Sequence, residues 1–210
     1  MSSRYLLPVA AVLASDYNIM VPDLPGHGLS SKAPNALPVV EQAEIVAAWL
    51  RELKVEKAVV LANSYGCEIV VELAIRHPDL VHRLILTGPT ADPSAPTKFQ
   101  QAIRLFADGF VEKSNMLAVL LRDMRHLGWH RAMQTTQYMI EYDYYPRLPL
   151  VKTKTLVARG GKDPLAPQKW VEEMVSLLPD AQLAVIPDGP HNINFTTPEE
   201  LGLLVRNFLA

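Results

Sequence analysis

Val59-Val60-Leu61-Ala62-Asn63-Ser64-Tyr65-Gly66 is the stretch whose reading decides this chain. A β-branched apolar run, the mark of a buried strand, breaks at a small residue. A serine follows, a glycine comes two places later, and a helical pattern then opens with Ile69, Val70 and Leu73. The outline is strand–turn–helix with Ser64 at the apex. It departs from the G-x-S-x-G elbow only in having Ala62 at the first glycine. The apex serine of such a turn takes a strained backbone, so its neighbours must be small, and alanine adds only a methyl group. The turn would lift the Ser64 hydroxyl above a sheet. It would leave the Tyr65 N–H at a helix N-terminus, where it can stabilise an oxyanion. On the octapeptide alone, a serine that merely caps a helix fits as well.

Working outward, short apolar runs alternate with amphipathic ones. Leu6, Val9 and Leu13 share a helical stripe over residues 2–15, with Pro8 in its first turn. Asn18-Ile19-Met20-Val21 reads as a short strand running into the turn formers Pro22-Asp23-Leu24-Pro25-Gly26-His27-Gly28-Leu29-Ser30. Val39, Ala43, Val46, Leu50 and Leu53 form the next helical stripe, opened by Pro38. Ala58–Leu61, Arg83–Thr87, Thr155–Ala158 and Leu183–Ile186 are the further strands. The helix between the last two carries Trp170, Met174 and Leu177. Thr197-Pro198-Glu199-Glu200 opens the last helix with a cap, a Pro at the first position and a Glu three on. Residues 92–149 break the rhythm: Met, Leu and aromatic residues recur at helical spacing with no convincing strand. The domain reading is a core over 1–91 and 150–210, with a helical lid inserted at 92–149. Such alternation predicts an α/β fold, a mostly parallel sheet with helices on both faces.

Composition narrows the function classes. The chain has 210 residues, 49% hydrophobic and 20% charged, enough for one folded domain with a sizeable core. A net charge of −2 gives no electrostatic case for nucleic acid or for an anionic membrane surface. Cys67 is the only cysteine, so no intrachain disulfide forms, which fits a reducing, cytoplasmic location. No apolar run approaches the roughly 20 residues of a spanning helix. Arg4 followed by the apolar Tyr5–Leu13 run could pass for a very short signal peptide, but Pro8 and the short apolar core count against that reading.

Sites in parallel sheets lie beyond the carboxyl ends of the strands. Ser64 follows one strand, Asp163 follows another in Arg159-Gly160-Gly161-Lys162-Asp163-Pro164, and His191 follows a third in Asp188-Gly189-Pro190-His191-Asn192. A nucleophile, an orienting acid and a base thus occur in the chain order Ser, Asp, His. Over nearly its whole length the chain resembles the α/β-hydrolase fold family. The landmarks are Pro22–Ser30, Ala62-Asn63-Ser64-Tyr65-Gly66, Gly161-Lys162-Asp163-Pro164-Leu165-Ala166-Pro167 and Gly189-Pro190-His191. The Asn before the serine and the helical insertion look most like hydrolases of C–C bonds in ring-cleavage products, or small carboxylesterases. A serine apex speaks against dehalogenases and epoxide hydrolases of this fold, which use Asp there.

The resemblance implies a serine hydrolase of a small hydrophobic substrate, acting on an ester or on a C–C bond beside a carbonyl. Ser64, Asp163 and His191 would be catalytic, Tyr65 would supply the oxyanion donor, and Asn63 and Tyr142 would contact substrate. No cofactor and no metal is required. Members of that family usually begin with several strands, one of which ends in a His-Gly turn giving a second oxyanion donor. Here a helix starts at about residue 2, so the chain reads as an N-terminally truncated version of the fold. The alternative is that the gap is closed by direct pairing of Asn18–Val21 with Ala58–Leu61. An exposed sheet edge would invite a homo-oligomer. A second reading is a binding module that holds a small hydrophobic ligand without turnover.

Other residues have blander roles. Asp92 is the substitute acid if Asp163 only forms a turn. His27 reads as structural in its Gly-rich turn. His126 and His130 lie four apart on a helix but lack an obvious third metal ligand. Cys67 reads as a packing residue, and Tyr142, Tyr144 and Tyr145 as contacts between the insertion and the core, or as pocket lining.

Overall fold

The structure, a computed structural model, describes residues 2–94, 97–112 and 114–210. A 3-10 turn at Ser3–Leu6 leads into α1 (Leu7–Leu13), and α2 spans Val39–Glu52 behind the extended Pro38. β1 (Ala58–Asn63), α3 (Gly66–Arg76) and β2 (Val81–Thr87) follow. The next stretch supplies α4 (Lys98–Asp108), α5 (Ser114–Leu127), α6 (Trp129–Glu141) and a 3-10 turn at Tyr145–Leu150. β3 (Thr155–Gly160), α7 (Gln168–Leu177), β4 (Ala181–Ile186), the single-turn α8 (Ile193–Thr196) and α9 (Pro198–Leu209) complete the chain.

The four strands form one parallel sheet in the order β1-β2-β3-β4. Alternation along the strands sends their side chains to two cores. Leu84, Leu86 and Val157 pack beneath α2, α3 and α7, whose Ala43, Leu73 and Met174 are buried there. Ile85, Leu156 and Ala158 meet Val9 and Leu13 of α1 and Leu201 and Val205 of α9 on the other face. Parallel strands covered on both sides are mostly apolar, and β3, with Leu156, Val157 and Ala158 at its centre, is buried at every position. Register aligns the carboxyl ends: Asn63 lies opposite Thr87, Thr87 opposite Ala158, and Gly160 opposite Ile186. The loops after these strands therefore open at one end of the sheet. Among the described residues no helix is long and apolar enough to cross a membrane.

Three sequence expectations need correction. Asn18–Val21 is not a strand and makes no ladder with β1. Apolar composition alone does not make a strand; a hydrogen-bonded partner does. Between this segment and β1 lies a cavity of about 570 Å³, lined among others by Tyr5, Val9, Leu13, Leu50, Leu61 and Ile69. Ala58 N–H and Ser64 N–H donate across to Leu80 O and Thr87 O (2.8 and 3.0 Å). By the two-residue period, the backbone groups of Val59, Leu61 and Asn63 face the cavity instead. Direct closure of the gap, the second sequence expectation, is therefore not made. Thirdly, Thr197 precedes Pro198 but does not cap α9 through its side chain. Its hydroxyl donates to Ile193 O at 3.2 Å, tying α8 to α9.

The void makes a stability prediction. Leu86→Ala, in the filled core, should cost about 2–5 kcal/mol, while Leu50→Ala, which borders the void, should fall at the low end of that range. Urea unfolding of both variants checks this; equal costs would show that the packing beside the void is as tight as elsewhere in the same core.

Candidate active site

Ser64 has φ +56°, in the left-handed region that a residue with a Cβ rarely takes. Its N–H is still held by the ladder to Thr87 O, while its carbonyl accepts from Cys67 N–H at 2.9 Å and begins α3. The chain thus turns from strand to helix within one residue. A Cβ on Gly66 would meet the Ala62 Cβ at 3.4 Å, an ordinary van der Waals contact, so the apex has room for a methyl group there. No side-chain bond caps α3, so the rival reading of Ser64 as a helix cap finds no support. The Tyr65 N–H lies at the positive end of the α3 dipole.

The loops after β3 and β4 are pressed together. Gly161 N–H donates to Ile186 O (2.7 Å) and Lys162 N–H to Gly189 O (2.9 Å). A Cβ at Gly160 would stand 2.1 Å from the Gly189 and Pro190 carbonyl oxygens, so only glycine allows this approach. The two loops bring Asp163 and His191 into contact, with Nδ1 at 2.9 Å from Oδ2. Asp163 Oδ1 accepts from the N–H groups of Leu165 and Ala166 (2.8 and 3.0 Å). Buried Arg159 braces the same loop, donating to Ala166 O at 2.8 Å and Asp163 O at 3.0 Å. Asn63 joins the third strand end to the pair: its amide donates to Thr87 O (3.1 Å) and to His191 O (3.4 Å). Gly88, with φ +52°, closes the floor; a Cβ there would come within 3.0 Å of His191 Nδ1 and 3.1 Å of Asp163 Oδ2.

Both members of the pair are almost inaccessible, His191 at 4% and Asp163 at 3%. Burial pushes the Asp163 carboxyl up, but the His191 charge and hydrogen bond, with the two loop N–H groups, leave it below the ordinary value. Burial likewise pushes the imidazole down, and the charge and hydrogen bond of Asp163 return it above its ordinary value. Each group is kept charged or basic by the other. With Nδ1 committed to Asp163, Nε2 is the nitrogen left to take a proton. Among the described residues no hydrogen bond joins the Ser64 hydroxyl to His191 in this structure.

The remaining sequence candidates have their polar groups engaged by other partners. Asp92, the substitute acid, pairs with Arg104 at 2.7 Å and accepts from Ser94, so its oxygens are committed away from His191. Tyr142, expected to touch substrate, gives its hydroxyl to Glu72, which also binds Arg147 at 2.7 Å. Asn63, also expected there, is 2% exposed and spends its amide on the main chain. Tyr144 and Tyr145 bond to Thr90 O and Glu173 (each 2.7 Å) and pack on Trp170. His27 is buried beside Pro25 O (3.2 Å), and burial first, then neighbouring positive charge, draws it down to about 4. Cys67 is buried and its thiol is driven up by burial. Sequence reasoning missed Gly88 and Arg159; Gly88-Pro89 after a strand and Arg159 at a strand's carboxyl end were the signals to be had.

Comparison with known proteins agrees with this architecture. A family model described as the alpha/beta hydrolase family matches residues 2–201. The 2-hydroxy-6-oxo-6-phenylhexa-2,4-dienoate hydrolase of Burkholderia cepacia is 25% identical over 99% of this chain and 82% of its own length. Protein ABHD8 of Bos taurus is 29% identical over 92% of this chain; the chain spans about half the length of that relative. A hydrolase from Pseudomonas aeruginosa PA01 superposes with a TM-score of 0.82 at 23% identity, over all of this chain and 86% of that one. A thermophilic esterase from Thermogutta terrifontis gives 0.80 at 22% identity, over all of this chain and 85% of that one.

Gly88→Ala should break the Asp163–His191 contact, because its methyl group would occupy the space beside both atoms. The measurement is the low-field proton NMR signal of the Nδ1 hydrogen. It should shift or vanish in Gly88→Ala while the circular dichroism stays that of the parent protein.

Proposed function

The chain belongs to the alpha/beta hydrolase family, and from that premise we propose that it is a serine hydrolase working through Ser64, His191 and Asp163. The observation that carries the reading is the buried 2.9 Å Asp163–His191 contact at the mouth of the sheet, beside a strand that ends in a left-handed serine. Asp163 fixes the Nδ1–H tautomer and steadies the imidazolium. His191 Nε2 takes the Ser64 proton as Oγ attacks a carbonyl carbon. Tyr65 N–H stabilises the oxyanion. The leaving group departs with the proton from His191, and water then releases the acyl group by the same base.

The substrate class we assign is a small hydrophobic ester, or a ketone with a cleavable C–C bond. The similarity to the Burkholderia hydrolase supports the second and the esterase fold the first. Residues 92–149 act as a lid over the strand ends and select the substrate. A second reading, a binder of small hydrophobic ligands without turnover, is favoured by one observation: the Ser64 hydroxyl is not bonded to His191 in this structure.

Hydrolysis of p-nitrophenyl acetate separates the two readings. Ser64→Ala should lower kcat at least about a thousandfold, and a fluorophosphonate should label Ser64 alone. Equal rates in the two proteins, or an adduct elsewhere, would sink the enzymatic reading. The pH dependence has a definite sign. The base works only when neutral, and the pair raises His191 above about 6.5. The kcat/KM profile should therefore fall as pH drops through a midpoint above that value, and Asp163→Asn should move the midpoint down.

A further inference from the structure

Helix α4 ends at Asp108, and a turn with Val111 and Glu112 N–H both directed at Asp108 O (2.9 and 3.0 Å) carries the chain to Glu112. Two acids stand here at a helix C-terminus, where the macrodipole opposes negative charge. Water does not relieve them fully. Asp108 is 4% exposed, and Asp108 Oδ1 and Glu112 Oε2 are buried with no hydrogen-bond partner among the described residues. What they meet is the loop that carries His191. Glu112 Oε1 accepts from both the main-chain N–H and the side-chain Nδ2 of Asn192, each at 2.7 Å. The next residue back along the chain is the base itself. Asp108 stands close enough to His191 to accept from its main-chain N–H and to feel the charge of its ring. Burial first, then the charges of Glu112 and Asp163, push its carboxyl up to about 7, against the pull of His191.

We propose that Glu112 and Asp108 are positioning residues for His191: Glu112 fixes the loop through Asn192, Asp108 sets a second acid against the ring, and the seating of α4 on this loop orients the base. The inference deepens the triad reading and rests on it for its catalytic meaning. It makes the inserted helices part of the machinery as well as a cover. The charged groups around the imidazole are then Asp163 from the β3–α7 loop and Asp108 and Glu112 from the end of α4. Asn63, at the end of β1, meets the His191 carbonyl as a neutral amide. Each of these acids, where ionised, stabilises the imidazolium, so removing one weakens the hold on the proton.

The decisive experiment titrates the His191 ring by NMR in the parent protein, in Asp108→Asn and in Glu112→Gln. The ring signal is identified by its loss in His191→Gln. Both substitutions keep the side-chain shape, and a merely structural role would not move the midpoint. The midpoint should fall by about one pH unit in at least one variant. A midpoint unchanged in both overturns the inference, whatever happens to turnover. Glu112→Ala, which also removes the acceptor oxygen, should lower kcat roughly tenfold or more with a smaller change in KM, and Glu112→Gln should restore most of it. Ser64→Ala, assayed alongside, keeps the two claims apart. If Ser64→Ala is inactive and the midpoints do not move, this inference alone fails; if Ser64→Ala remains active, the triad reading fails and the titration still decides the seating of α4.

Discussion

A carboxylate and an imidazole with almost no access to water hold this site together. Burial disfavours the charged form of each, and alone each would shift toward neutrality. At 2.9 Å each supplies what burial removes from the other, which is why Asp163 stays low and His191 stays high. A buried pair of this kind makes strict demands, since loss of one partner leaves the other uncompensated, at about 3–5 kcal/mol. The surrounding structure meets those demands atom by atom. Leu165 and Ala166 N–H fill the second carboxylate oxygen, Arg159 fixes the loop carbonyls, and Gly88 leaves the room that a side chain would take.

The pair also explains why the glycines around it are where they are. The β3 and β4 loops approach so closely that their backbones interlock, and Gly160 and Gly161 are the residues that permit it. A left-handed Ser64 is the matching strain on β1, of order 1–3 kcal/mol. That strain is held by a ladder bond on one side and by the first turn of α3 on the other. Strain kept at one apex, with well-formed strand and helix either side, is what turns the chain from β1 into α3 within one residue.

Much of this was legible in the sequence, and the reasons differ from place to place. The strand–helix alternation was clear because parallel strands buried on both faces are mostly apolar, as the Leu156-Val157-Ala158 centre of β3 is. Ser64, Asp163 and His191 stood out because each follows a strand, and register then aligns the strand ends. The Asn18–Val21 strand was misread because its apolar pattern is local, whereas a strand exists only through a partner. Tyr142 could be read from its type either as a pocket residue or as a contact to the core; its hydroxyl answers to Glu72, a residue 70 positions away in sequence, which no local pattern announces. Asp108 and Glu112 carried no signal at all: two acids at the end of an amphipathic helix look like solvated surface until Asn192 is found against them.

The two least conventional features of the molecule act on the same element. β1 carries the serine at its end, yet it is paired on one side only, and a cavity of about 570 Å³ lies along its other edge. Its position therefore depends on the β1–β2 ladder and on α3, which packs against both strands. His191, by contrast, sits in a loop gripped by Asp163, Asn63 and, through Asn192, Glu112. His191 is the firmly held member of the constellation and Ser64 the loosely backed one. Whatever firms the free edge of β1 would act on the hydroxyl first, because the imidazole is already fixed from three directions.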